Sequence, residues 1–312
     1  MRRCPRAVKT VGVRRARRRS VLAASLVVAL GLATACGGSS ASGEGGGDPA
    51  QTGADGKPLP GLKEFGLTEE ELASDVEEVE ALIASCMTEA GFEYIPADVQ
   101  TVDRAQDALR VDPGYTEGEY KKRWGFGVTT RFDNVVKEIE LGPQNLRIIE
   151  SLSATDKAAY ERTLYGEDPD MTFAFAFDEE DFSSTGGCTR KAVEQVFTKA
   201  QLSASYVNPK DVLVEEDPRV VEANANWVEC MQDAGYEGYL DQDEIIGEFE
   251  ERLEALTEGE DPATLTGAKA ARLRKMQAEE IAISLTDHRC QIKHQRPAIN
   301  AVEVELFGRD LP

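Results

Sequence analysis

The sequence predicts a mainly α-helical domain, stapled by disulfides, with two weakly repeated halves and long irregular connections. Three observations predict it. Apolar residues recur at helical spacing between recognisable caps. Four cysteines lie beyond the N-terminal segment. A short motif also occurs twice, 144 positions apart.

The first element is a leader. Met1–Arg19 carries nine basic side chains and no acid, and Val21–Ala33 follows as an apolar run. Thirteen residues are too few to cross a bilayer, which takes ~20, but they suit a secretory signal. Leu32-Ala33-Thr34-Ala35-Cys36 resembles the bacterial lipobox, with Ala33 standing where Leu is more usual. The resemblance implies cleavage before Cys36 and lipid attachment there. An ordinary signal peptide cut after Ala33-Thr34-Ala35 is the alternative. Arg18-Arg19-Ser20-Val21-Leu22 is similar to part of a twin-arginine export signal, and general secretion is the favoured route of the two.

Residues 37–60 form a Gly-rich linker with an expected r.m.s. reach of ~25–30 Å. The expected organisation is a signal peptide over 1–35, a lipidated flexible segment over 36–60 and a helical domain over 61–312. That domain divides into halves at about 61–205 and 206–312.

Charge narrows the function. The chain has 35 Lys+Arg against 57 Asp+Glu, a formal net charge of −22. Removing the nine leader bases takes it to about −31. Such an excess of acid argues against nucleic acid, because phosphate binding needs Lys and Arg on a face.

Cys86, Cys188, Cys230 and Cys290 remain after Cys4 and Cys36 are set aside. In an oxidising compartment an even set reads as disulfides, and four cysteines allow three connectivities. The repeat selects one. Ser85–Tyr94 reads S-C-M-T-E-A-G-F-E-Y, and Glu229–Tyr239 reads E-C-M-Q-D-A-G-Y-E-G-Y. Upstream, Val76, Val79, Ile83 and Met87 share one helical face, as do Val220, Ala223, Trp227 and Met231. Each Cys-Met helix is followed by one further Cys in its own half. Equivalent halves would therefore pair Cys86 with Cys188 and Cys230 with Cys290. The rival joins Cys86 to Cys230 and Cys188 to Cys290.

Helices are expected over about 68–90, 116–123, 132–141, 154–165, 188–204, 218–234, 242–257 and 265–295. Thr68-x-x-Glu71 supplies a capping box for the first. Asp217-Pro218 supplies a cap and a first-turn Pro for the second Cys-Met helix. Gly91 and Gly235 suit the left-handed position past a helix end. Leu273, Met276, Ile283 and Cys290 stripe the longest helix, with Pro297 just beyond it. Met171–Phe177 reads as a short strand or as a loop packing its aromatics down.

Several segments together resemble a broad group of actinobacterial lipoproteins of unassigned function. They are the lipobox, R-W-G-F-G-V-T-T at 123–130, E-S-L-S-A-T-D-K at 150–157, Gly186-Gly187-Cys188, W-V-E-C-M-Q-D-A-G-Y, and the helix ending T-D-H-R-C. The resemblance implies a lipid-anchored extracytoplasmic protein and brings no activity with it.

Catalytic motifs are missing from the sequence: it has no G-x-S-x-G, S-x-x-K, H-E-x-x-H or Walker loop. Gly125-Phe126-Gly127 reads as a close-packed turn beside Trp124. Asp241-Gln242-Asp243 begins like a calcium loop, but Ile245 and Arg252 stand where oxygen ligands belong. Asp287, Cys290 and His294 are the best candidate metal ligands, set against the expected disulfide at Cys290. No cofactor, metal or catalytic residue is expected. The expected function is a non-enzymatic binding or envelope-associated role, anchored to the cell membrane and facing an unknown protein or small molecule. The alternatives are a solute-binding lipoprotein of a transporter and an envelope hydrolase.

Overall fold

The computed structural model describes Thr52 and residues 57–308. The leader, Cys36 and most of the linker lie outside the described residues. The helices are α1 (Glu69–Glu89), α2 (Val99–Arg110), α3 (Glu117–Trp124), α4 (Val135–Ser151), α5 (Ala154–Tyr165) and α6 (Phe173–Asp178). They continue as α7 (Gly187–Val196), α8 (Pro209–Glu215), α9 (Pro218–Asp233), α10 (Gln242–Thr257), α11 (Gly267–Cys290) and α12 (Arg296–Phe307). No β-strand occurs among the described residues, only one isolated bridge between Thr52 and Pro58.

Caps set the helix starts. Thr68 accepts from the Glu71 amide while the Glu71 carboxylate accepts from the Thr68 amide. Asp217 caps α9, with Pro218 in its first turn. The two Cys-Met helices end alike. Phe92 N–H donates to Met87 C=O and Tyr236 N–H to Met231 C=O, both at 2.9 Å. Gly91 and Gly235 take φ of 88° and 91° there, which only glycine adopts without strain.

Two main cores result. The first gathers α1, α2, α4, α5, α6 and α7 around Val76, Val79, Ile83 and Met87. Five phenylalanines close one end of it, with Phe65 stacked on Phe182 at 5.1 Å between ring centres. The second gathers α9, α10 and α11 around Trp227, Met231, Phe249, Met276 and Ile283. A small third cluster joins Val214, Val220 and Val302 from α8, α9 and α12.

Several elements differ from those the sequence predicts. Met171–Phe177 is neither strand nor loop. Phe173–Asp178 is a short helix capped by Thr172, with Phe173 and Phe177 fully buried. Pro297 does not end the last helix system. Residues 291–295 form a π-helical turn after α11, and Pro297 sits in the first turn of α12, where a missing N–H costs nothing. The helix expected over 132–141 begins at Val135 and runs to Ser151, kinked at Gly142-Pro143. The helix expected over 188–204 stops at Val196. Helices α2, α8 and α12 were not anticipated.

Contacts cross the boundary between the expected halves. Helix α3 belongs by sequence to the first half but packs on α11 in the second. The Gly125–Gly127 turn is close-packed, as expected. A Cβ on Gly125 would lie 3.1 Å from Glu280 Cγ, and its φ is 69°.

Candidate functional site

Helix α9 turns Trp227 and Met231 into the core, which leaves Asn226, Glu229, Cys230 and Asp233 on its outer side. The π-helical turn places Lys293 and His294 opposite them. The turn is pinned to α9, since Gln295 Nε2 donates to Asn224 Oδ1 at 3.0 Å. Between the two lies an open groove of about 450 Å³, with half-buried Cys230 in its wall. It shows two carboxylates, one ammonium and one imidazole to a ligand. π-Helical turns recur where side chains must be re-aimed at functional positions.

A second groove, of about 300 Å³, is lined by Glu93, Ile95, Gln144, Arg147, Ile148 and Ser151. Its floor is rigid. Ile95 N–H donates to Asn145 Oδ1 at 2.8 Å, and Asn145 Nδ2 donates back to Ile95 C=O at 2.7 Å.

Neither groove contains the carboxyls that burial perturbs most. Glu80 accepts from the Tyr94 hydroxyl at 2.8 Å and the Ala97 amide at 2.9 Å, and burial pushes its carboxyl up to about 8. Glu140 accepts from the Phe173 and Ala174 amides at the start of α6, and burial raises it to about 6. Asp287 accepts from the Trp227 indole at 3.0 Å and is raised to about 6, again by burial. Glu280 accepts from the Val128 amide at 2.9 Å and the Thr129 amide at 2.7 Å, and burial raises it. Glu180 binds the Phe65 amide and Asn208, and burial raises it to about 7. These carboxyls are interior braces. Each holds a donor on a neighbouring segment, so that buried N–H groups keep a partner.

All four expected cysteines pair as the repeat indicates. Cys86 is bonded to Cys188 and Cys230 to Cys290, across 102 and 60 positions. The rival connectivity is not formed. The candidate metal trio does not assemble: Asp287 is buried against Trp227, Cys290 is in its disulfide, and His294 lies in the groove wall. Among the described residues no group of three His, Cys, Asp or Glu side chains could hold a metal. Thermal melts in chelator and in excess zinc should therefore coincide, because only a ligand of the native state raises its stability. A zinc-dependent rise that vanishes in His294→Ala would contradict this. Cys36 lies outside the described residues.

Sequence reasoning missed the acidic braces. Glu80 and Glu280 fall on the inward stripes of their helices, at positions where only apolar residues were counted, and Asp287, singled out as a metal ligand, braces Trp227 instead. No family model, curated protein or solved structure matches the chain.

Proposed function

We propose that the protein is a lipid-anchored extracytoplasmic binding protein that works without catalysis. In this reading Cys36 carries the acyl chains and the linker holds the helical domain close to the membrane, where it meets a protein or small-molecule partner. The two similar Cys-Met helices would descend from one duplicated unit. The observation that carries the reading is the pairing of Cys86, Cys188, Cys230 and Cys290. Paired cysteines belong to oxidising compartments, and the basic leader, apolar run and lipobox-like Cys36 precede them. The commitment of the perturbed carboxyls to donors inside the fold supports a non-catalytic role. A solute-binding lipoprotein with a two-lobed α/β fold has no strand to support it among the described residues.

Acyl labelling in the producing cell tests the anchor. The native chain should take up labelled fatty acid and partition with membranes. Cys36→Ala should lose the label and appear in the medium or as uncleaved precursor. Continued acylation of that variant would refute the anchor.

A further inference from the structure

The acidity of the chain is unevenly distributed. Residues 117–131 and 267–296, which contain α3, α11 and the π-helical turn, hold eleven Lys and Arg against five Asp and Glu. Glu280 and Asp287 are two of those five, and both are buried. The two helices lie antiparallel and in contact. At one end His288 Nδ1 is 3.2 Å from Glu117 Oε1, and at the other Gln277 Nε2 donates to Thr129 C=O at 2.8 Å. Lys122, Arg274, Arg289 and Lys293 are exposed. Among the described residues none of these four makes an ion pair. At 100° per residue Arg274 and Arg289 lie about 60° apart, on the side of α11 turned away from buried Leu273, Met276 and Ile283, and with Lys122 and Lys293 they give this helix pair a basic face.

The same segments expose apolar side chains. Phe132 follows the Gly125–Thr130 turn and is 44% exposed, and Ile292 in the π-helical turn is 49% exposed. They stand toward opposite ends of the basic helix pair. Trp124, half-buried at the end of α3, carries Arg123 and Arg131 over its ring at 4.9 and 5.5 Å. Cations interleaved with Trp, Phe and Ile match the composition of surfaces that rest on a lipid headgroup layer.

We propose that this face, built by α3, α11 and the π-helical turn, rests on an anionic lipid surface. The inference relies on the lipid-anchor reading for its setting. Residues 62 and 63 meet α8, where Lys210 Nζ donates to Leu62 C=O and Asn208 Nδ2 to Lys63 C=O. Electrostatics selects which face turns toward the membrane. The remaining surface is strongly acidic and repelled by anionic headgroups, whereas the basic face is attracted.

The test uses the mature chain from residue 36 with Cys36→Ser, so that no acyl chain contributes. Co-sedimentation is measured with vesicles of phosphatidylglycerol and phosphatidylcholine, and with phosphatidylcholine alone. At about 20 mM salt the bound fraction should be at least about fivefold higher on the anionic vesicles, and about 0.5 M salt should abolish the difference. Lys122→Glu/Arg274→Glu/Lys293→Glu should lose the binding. Lys157→Glu/Lys191→Glu/Lys199→Glu changes net charge equally and should bind like the parent. Equal losses in the two variants, or equal binding to neutral vesicles, would overturn the proposal. So would capture by soluble polyglutamate without vesicle binding, which would reassign the face to a soluble polyanion. Acyl labelling of native Cys36 reads the anchor separately, so the two failures are distinguishable.

Discussion

Replacing Cys86 and Cys188 together with alanine should cost up to about 4–5 kcal/mol of unfolding free energy at 25 °C, the chain-entropy value for a loop of this length. The bridge ties α1 to α7 across 102 positions, and Cys188 is buried against the first core, so lost packing adds to the effect. The Cys230–Cys290 bridge closes a shorter loop of 60 positions and should cost slightly less by the same relation. Domains of this kind are stable by only ~5–15 kcal/mol, so either loss should leave a weakened or unfolded chain at 37 °C. Urea unfolding of the double variants against the parent measures this. A loss below about 1 kcal/mol for the longer bridge would show that the unfolded chain is already constrained there.

Thermal stability should fall as pH rises from about 5 to 8.5. Glu80, Glu140, Glu180 and Asp287 are raised to about 8, 6, 7 and 6, each chiefly by burial. A carboxyl raised in the native state keeps a proton that the unfolded chain has released. Its contribution is complete below the unfolded value near 4.5 and is lost as pH climbs through the native value. Each such group changes stability by about 1.4 kcal/mol per pH unit across its window. Asp98, Asp133 and Glu279 are lowered by hydrogen bonds to Thr101, Arg131 and Arg252, so stability declines again below about pH 4. Glu80 makes the sharpest test. The groups acting on it are Glu140 and Tyr94, and it acts in turn on Tyr160 and Tyr165, with no cation among them. Calorimetry should place the Tm at pH 5.5 above that at pH 8.5 by at least about 5 °C. Glu80→Gln, which keeps an acceptor for Tyr94 and Ala97, should flatten that slope. A Tm that rises with pH, or an unchanged slope in the variant, would remove Glu80 as the cause.

Much of the helical architecture was legible because caps and periodicity agree. Thr68 and Asp217 start helices as their side chains require, and Val76, Val79, Ile83 and Met87 bury the face their spacing defines. The disulfide pairing was legible only through the repeated motif, since spacing alone leaves three choices. Helix α2 was overlooked although its pattern is strongly two-sided, with Thr101, Val102, Ala105 and Ala108 buried on one face and Asp103, Asp107 and Arg110 on the other. Helix α12 was missed because Pro297 was taken as a stop, although a first-turn Pro is compatible with a helix. The grooves were not legible. They depend on where α9 meets the π-helical turn and where α4 meets the segment after α1, and no local pattern encodes those meetings. The basic face was hidden in the net charge, because its two parts lie some 150 residues apart in a chain dominated by acid.

The packing of α3 on α11 also sets a schedule. The Thr129 amide finds its acceptor on Glu280, 151 positions later. At ~5–20 residues per second, the chain emerges for roughly 8–30 s after α3 before α11 exists to receive it. Throughout that interval Phe126 and Val128 have no core, whereas the contacts of the first core can already form. Completion therefore waits for α11, which begins at Gly267. A nascent protein stalled before residue 267 would hold a closed first core and an open, sticky loop. That loop is the stretch of sequence on which a holding chaperone would have most reason to act.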